Sequence, residues 1–403
     1  MNKSVDSPNS VHLLLFPSWY PQTPHDTKGV FFRDQAQALK AHGYQVGVAT
    51  VSMRSLRTVG QRMAYSSPTP YELDEGVPTY RYGCWAALPR IPYGNYILYR
   101  RAARKLLARY VSEQGWPDII HAHASLFAGA FAVEWAKHHN IPVILTEHFT
   151  GFARGILRPW QLRLAAIAAS RADACIAVSP QFGELLDRIL PSREGQWKWI
   201  PNVVADRFTT LDQRDREDGA PIRFMNLALM SAKKGQRDLL NAFANNFGQS
   251  TDTAELWMAG DGPMRNHLEQ QATQLGIASR VHFLGAVPPD DVPKLLAQVD
   301  TMVVASHYET FGVVAAEALM AGVPVIATRC GGPECIVEGD DGLLVPPGDI
   351  KMLGQAMYQM AEEIHTIDNK AIADRARARF SGQAVANQLD QIYKQVLNKD
   401  ITP

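Results

Sequence analysis

A chain of 403 residues exceeds the size at which one hydrophobic core keeps growing, so two domains is the natural expectation. With 46% hydrophobic and 20% charged residues and a formal net charge of zero, the composition excludes a disordered or fibrous protein. Cys84, Cys175, Cys330 and Cys335 make neither a disulfide framework nor a zinc pattern, and read as buried thiols.

Charge is unevenly spread. Residues 1–200 carry 22 Lys+Arg against 14 Asp+Glu, and the remainder 18 against 26. Either the first half meets something anionic, such as phosphate, lipid headgroup or acidic glycan, or the surplus is surface composition without function.

Along the chain, residues 1–10 lack an apolar core of signal-peptide type, and the run at 11–16 is short and ends at Pro17. Every apolar stretch is interrupted well before the ~20 residues that span a bilayer. A cytoplasmic chain is expected. Short apolar runs then alternate with amphipathic segments, the mark of βα units and a parallel sheet. Strands are expected at 11–16, 45–50, 118–122, 142–146 and 174–178. The helix at 31–42 spaces Phe32, Ala36, Leu39 and Lys40 along one side and stops at Gly43.

Residues 93–110 combine Arg100, Arg101, Arg104, Lys105 and Arg109 with Tyr96, Ile97, Leu98, Leu106 and Leu107. Preceded by Trp85 and the loop at 86–92, this segment reads either as a helix lying on an anionic membrane or as one packing on the sheet with its charges solvated. His123 and His148 each follow an expected strand.

Residues 199–220, with their charged run at 211–219, read as the connection between domains, and the boundary is expected near 205. Six more strands follow, at 222–227, 255–259, 281–284, 301–305, 323–328 and 342–345, and a last helix at 384–397 has no strand after it.

The densest chemistry lies at 307–328. An apolar strand ends, a helix begins near Gly312, and Glu309 and Glu317 flank that start. A parallel sheet opens its ligand crevice at such strand ends, and the first N–H groups of the helix, at Gly312, Val313 and Val314, suit an anion. A diphosphate there would leave its sugar near Glu309 and its ribose nearer Glu317. Alternatively Glu309 only complements the helix dipole, by about 0.3–1 kcal/mol, and Glu317 is a solvated helix residue. Glu317 fits that second account poorly, because residues 313–316 and 318–321 around it are all apolar.

Glu309 and Glu317, seven residues between them, resemble the paired-glutamate motif of glycosyltransferase family 4, whose fold is GT-B. Residues 259–263 (AGDGP), 282–285 (HFLG), 331–336 (GGPECI) and 341–349 (DGLLVPPGD) resemble the family's successive loops. The resemblance is close from about 225 to 350. It implies two Rossmann-like α/β domains with parallel sheets facing an interdomain cleft. Residues 1–204 would form the acceptor side and 205–383 the donor domain, with the helix at 384–403 docking back on the first.

The same resemblance gives Glu309 the donor sugar hydroxyls, Glu317 the ribose, and Lys234 of the Ala232–Gly235 loop the diphosphate. Phe311, Gly312 and Val313 would complete the donor site. Many relatives carry arginine five residues before that lysine, where this chain has Leu229. Residues 30–39 resemble the family's opening helix, with Gly29 allowing close backbone approach to the donor, or serving only as a turn. His148 is placed beside the donor sugar, and His123 is as readily a structural histidine.

The implied reaction is retaining transfer of a UDP- or GDP-sugar to a glycan or lipid-linked acceptor in cell-surface polysaccharide or glycolipid synthesis. No cofactor and no metal are expected, since no DxD triplet occurs; nor is a nucleic-acid partner. An anionic membrane, met peripherally at its inner face, is a further expected partner. A sugar-nucleotide epimerase, a phosphorylase of similar fold and a non-catalytic binding protein are the alternatives.

Overall fold

The computed structural model describes residues 11–23, 26, 29–56, 71–190, 197–209, 219–248 and 254–399. It divides into two compact units, Met1–Val203 with Gly382–Pro403, and Val204–Ser381. The first ten residues and, apart from Gly219, the charged run at 211–219 lie outside the described residues.

The first unit begins with β1 (His12–Pro17), α1 (Val30–Ala41) and β2 (Gln45–Ser55), followed by the hairpin β3 (Glu72–Asp74) and β4 (Val77–Ala86). Then come α2 (Gly94–Gln114), β5 (Ile119–His123), α3 (Ala130–His138), β6 (Val143–Glu147), α4 (Pro159–Arg171), β7 (Ala174–Ala177), α5 (Pro180–Ile189) and β8 (Trp197–Trp199). The sheet order is β3-β4-β2-β1-β5-β6-β7-β8, parallel except for β3 against β4. Its central strands β1, β5 and β6 are buried throughout and mostly apolar, as strands of a parallel sheet covered on both faces are, with His12, His121, His123, Thr146 and Glu147 as their buried polar residues.

The second unit runs β9 (Ile222–Leu227), α6 (Gln236–Phe247), β10 (Ala254–Ala259), α7 (Arg265–Gln274), β11 (Val281–Gly285), α8 (Val292–Leu296) and β12 (Thr301–Val304). It continues with α9 (Val313–Met320), β13 (Val325–Thr328), β14 (Gly342–Val345), α10 (Ile350–Glu363) and α11 (Asn369–Phe380). The order β11-β10-β9-β12-β13-β14 is wholly parallel. Its core joins Phe224, Leu239, Phe243, Leu256, Met258 and Met357.

The last helix, α12 (Gly382–Lys399), belongs to the first unit. Val385, Ala386, Leu389, Ile392, Tyr393 and Val396 recur at helical spacing and pack with Phe32, Ala36 and Leu39 in one core. Polar bonds fix it there: Tyr44 donates to Asp390 (2.5 Å), and the Tyr393 hydroxyl meets His121 Nδ1 (2.8 Å). Lys40, counted with the apolar side of the first helix, is instead exposed and donates to the Gly76 carbonyl (2.9 Å).

The basic segment at 93–110 forms α2, but most of its apolar groups do not stay at the surface. Tyr96, Tyr99, Leu106, Leu107 and Tyr110 are buried, and Arg100 and Arg104 both donate to Glu134. Ile97, together with Ile91 in the preceding loop, remains exposed beside Arg90, Arg101, Arg104 and Lys105. Among the described residues no helix is long and apolar enough to cross a membrane.

Candidate functional site

In the second unit the strand order reverses direction between β9 and β12. Loops leaving neighbouring strands in opposite directions open a crevice at the strands' carboxyl ends, where ligands of such sheets bind. Residues 228–235 follow β9 and residues 305–312 follow β12, so the lysine and glutamate singled out from the sequence stand on the two sides of that crevice.

Glycine lets these loops touch. Gly235 has φ 65°, and a Cβ there would lie 1.8 Å from the Ala305 carbonyl oxygen. His307 N donates to the Lys233 carbonyl (2.8 Å), closing the contact. Lys234 Nζ donates to Glu309 Oε1, and Ser306 Oγ donates to the same oxygen (2.7 Å). The two charged side chains are 18% and 10% exposed, so neither is a freely solvated surface charge. Backbone bonds hold Glu309 from its other side: its N–H donates to Cys330 O (3.3 Å) and its carbonyl accepts from Gly332 N (3.0 Å).

Three residues on, Gly312 takes φ 96° as the N-cap of α9, and Val313 is the first helical residue. Phe311 is buried and meets Phe380 edge to face at 5.9 Å. Its side chain therefore belongs to the core. Glu317 sits within α9, only 8% exposed among buried Ala315, Ala316, Ala318 and Leu319, and is not a solvated helix residue. Leu229 is 59% exposed, and its carbonyl accepts from Gln236 Nε2 (3.4 Å). Next to the Lys234 loop lies a cavity of about 320 Å³ lined by Ser231, Gly235, Gln236, Asp238 and His307, in which His307 Nε2 lies 3.1 Å from the Asp238 carboxylate.

In the first unit the reversal falls between β1 and β5. Gly29 is the N-cap of α1 with φ 80°, and a Cβ on it would come within 3.0 Å of the Trp19 ring. His148 follows β6 and is buried; its Nε2 is 3.1 Å from Nδ1 of His123, and its ring meets Phe32 edge-on at 5.1 Å. Burial holds the His148 pKa down to about 3, helped by nearby His121 and opposed by a hydrogen bond with Asn202. The ring is neutral near pH 7. His121 is lowered to about 3 by burial alone, and His123 also lies well below the ordinary value through burial and its two histidine neighbours.

Sequence reasoning overlooked Glu147, immediately before His148. It is fully buried yet accepts four hydrogen bonds: from His148 N (2.9 Å), Phe149 N (2.8 Å), Ser125 N (2.7 Å) and Ser125 Oγ. Burial raises its pKa and these donors lower it. Ser306 was overlooked too, although a serine three residues before Glu309 at a strand end was the available signal. No group of three or more His, Cys, Asp or Glu side chains suited to a metal ion occurs among the described residues.

Two family models match the chain: Glycosyltransferase Family 4 over residues 29–207, and Glycosyl transferases group 1 over residues 222–363. The D-inositol 3-phosphate glycosyltransferase of Corynebacterium diphtheriae is 30% identical over 310 residues, 70% of this chain and 72% of that one. The putative teichuronic acid biosynthesis glycosyltransferase of Bacillus subtilis is 24% identical over 96% of this chain and 100% of its own length. Among solved structures, Anabaena HepE in complex with UDP superposes with a TM-score of 0.72 at 20% identity, over 96% of this chain and all of that one. These likenesses leave the epimerase, phosphorylase and non-catalytic readings without support. Two parallel-sheet units of GT-B type, the loops at both strand reversals and the matches across both halves make this chain a member of glycosyltransferase family 4, an enzyme using a nucleotide-sugar donor.

Proposed function

We propose that the enzyme transfers a sugar from a UDP- or GDP-sugar, with retention of anomeric configuration, to a glycan or lipid-linked acceptor in cell-surface polysaccharide or glycolipid synthesis. The observation that carries this reading is the Lys234–Glu309 pair at the strand reversal of the second unit. It joins a cation for a leaving diphosphate to a carboxylate for sugar hydroxyls, next to a helix N-terminus.

As the glycosidic bond breaks, negative charge grows on the leaving phosphate, and a positioned ammonium stabilises that state more than the bound donor. Lys234 and the N–H groups from Gly312 onward take this role. Glu309, released from the lysine as the diphosphate takes the ammonium, accepts from sugar hydroxyls, with Ser306 keeping its carboxylate in place. Glu317 accepts from the ribose. Both glutamates are thereby occupied and neither serves as a nucleophile, so the acceptor attacks on the face the phosphate leaves. The departing phosphate oxygen takes the acceptor's proton, and no metal is needed. His148, neutral near pH 7, orients an acceptor hydroxyl.

The name of the Bacillus subtilis relative, a putative teichuronic acid biosynthesis glycosyltransferase, supports a role in such glycans, and HepE, in complex with UDP, supports a uridine diphosphate. Screening UDP-, GDP- and ADP-sugars for thermal stabilisation tests the donor, since a ligand at 100 times its Kd stabilises by about 2.7 kcal/mol. Proton NMR of the product then tests retention; an inverted anomer overturns it.

We place the enzyme in the cytoplasm, at the inner face of an anionic membrane. Arg90, Arg101 and Lys105 are exposed around Ile91 and Ile97 and supply the cations and the apolar contacts. Sedimentation with phosphatidylglycerol but not phosphatidylcholine vesicles, weakened by salt, is the expected result. No sedimentation at low salt removes the membrane from the scheme.

A further inference from the structure

At the amino ends of its strands, away from the crevice at their carboxyl ends, the first unit carries a cluster of aromatic rings at the surface. Trp116 lies between α2 and β5, and Trp135, His138 and His139 come from the last turns and the C-cap of α3. Trp116 stacks on Trp135, with ring centroids 5.5 Å and planes 21° apart, and His139 touches both, at 4.8 and 4.5 Å. His138 meets His139 edge to face at 4.9 Å. β5 is five residues long, so its two ends stand about 17 Å apart, and the cluster is separate from the crevice.

Trp116 is 54% exposed, although an indole contributes most to a fold when it is covered. Its backbone is nevertheless fixed. His12 Nδ1 donates to its carbonyl (3.2 Å), and Gly115 N, just before it, donates to Val111 O (3.0 Å). Asp118, two residues on, donates its N–H to His12 O (2.8 Å) and accepts from His12 N through one carboxylate oxygen (2.7 Å). Trp135 and His139 back the ring, so a held indole faces solvent. Its rim is polar: Asp118 and Asn140 are both exposed, and the Asn140 amide makes no hydrogen bond among the described residues.

Charge decides what such a surface takes. The cations nearest in sequence are already paired, Arg109 with Glu113 (2.7 Å) and Lys137 with Asp173 (2.6 Å), so this end of the unit does not suit an anionic membrane as the outer side of α2 does. A stable protein partner would need about 800 Å² of continuous surface, whereas here one indole stands among polar groups. A sugar matches both parts, because its C–H face covers an indole while its hydroxyls meet an amide and a carboxylate.

We propose that Trp116, backed by Trp135 and His139, is a platform for a sugar unit of a polysaccharide, remote from the reacting end of that chain. The inference rests on the transferase reading and extends it: a long glycan is held at one edge of the sheet while its end is served at the other.

The test uses the full chain in native gels cast with dextran, laminarin, galactomannan or polygalacturonate, comparing the wild type with Trp116→Ala, Trp116→Phe and Asn140→Ala. At least one of these polysaccharides should slow the wild type. Trp116→Ala should raise the Kd read from that retardation about tenfold, as truncation of a central aromatic contact does, and Trp116→Phe, which keeps a flat ring, should recover part of the loss. A melting curve checks that each variant is folded. Should Trp116→Ala fail to fold, Trp116→Phe and Asn140→Ala, which leave the ring cluster in place, decide by a smaller rise in Kd.

No retardation of the wild type by any of the four polysaccharides overturns the inference, as does equal retardation of the wild type and the folded variants. Loss of self-association or of vesicle binding in Trp116→Ala with glycan binding intact assigns the surface to another partner and overturns it as well. Nucleotide release from UDP- and GDP-sugars is measured separately. If no donor is turned over, the transferase reading fails while the gels still report on Trp116; if donors are turned over and Trp116→Ala binds polysaccharide as the wild type does, the platform alone fails.

Discussion

Replacing Lys234 by alanine separates chemistry from stability. The ammonium is held by Glu309 between loops that Gly235 brings together, so its place does not depend on a flexible excursion from solvent. At ~4 Å from a phosphate charge, with an effective dielectric constant of ~20, its attraction is about 4 kcal/mol. Removing a single positioned donor of this kind typically costs about 2.7–4 kcal/mol in the transition state, a fall of about 10²–10³ in kcat. The structural cost is smaller. The pair is more sheltered than a surface ion pair, at about 0.2–1 kcal/mol, but less than a buried one, at about 3–5 kcal/mol. Glu309 also keeps Ser306 as a donor, so a loss of about 1–2 kcal/mol is expected, or a Tm shift of a few degrees. Nucleotide release at saturating donor, measured beside a melting curve, is the assay. A kcat within twofold of wild type would refute the assignment of Lys234 to the leaving phosphate. A double-mutant cycle with Glu309→Ala should be strongly non-additive, because the two groups act on one transition state.

Four other outcomes follow from the geometry. Glu317→Ala should raise the donor KM about tenfold or more with a smaller effect on kcat, since a ribose contact acts already in the bound donor; steady-state kinetics check it, and an unchanged KM removes the ribose role. Turnover should persist in EDTA with metal-stripped donor, and rescue of lost activity by magnesium or manganese would contradict the metal-independent scheme. Glu147→Gln puts an NH₂ group against N–H and O–H donors. It should raise the acceptor KM more than it lowers kcat, with Glu147→Asp recovering part; equal effects on donor and acceptor KM would mean general unfolding. His121 and His148 are neutral when folded and bind protons below pH ~6.5 when unfolded, so the unfolded chain gains protons first as pH falls. Stability should then fall by about 1.4 kcal/mol per pH unit for each histidine between pH ~6.5 and the folded values near 3; a melting temperature flat from pH 7.5 to 5.5 would argue against their burial.

The strands of both parallel sheets were readable where they are short apolar runs, because burial on both faces forces that composition; 222–227 and 342–345 match to the residue. The strand β4 was not read, since Pro78 and Gly83 interrupt its pattern and its last residues are only half-buried. The segment at 93–110 was open to two readings for a physical reason: a basic helix on a sheet and a basic helix on a membrane share one sequence pattern, and only the structure shows that Leu106 and Leu107 are buried while Ile97 stays exposed. Likewise Lys234 and Glu309 were each legible from their motifs. Their direct contact across 75 positions was not, because it depends on Gly235 passing the Ala305 carbonyl.

The two units place their candidate ligand sites by one rule and furnish them by opposite chemistry. In each sheet the connections reverse once at the centre, and in each the loops beyond that reversal hold the residues that packing alone does not explain. At the second unit's reversal stand an ammonium and a carboxylate next to a helix N-terminus, which suits a diphosphate whose charge changes during reaction. At the first unit's reversal stand aromatic rings around an apolar space and three histidines that burial keeps neutral. Among the described residues that line this apolar space none carries a charged side chain. The positive surplus of residues 1–200 lies in part on the outer side of α2, where Arg101 and Lys105 are exposed, so the anionic partner proposed above would meet that helix.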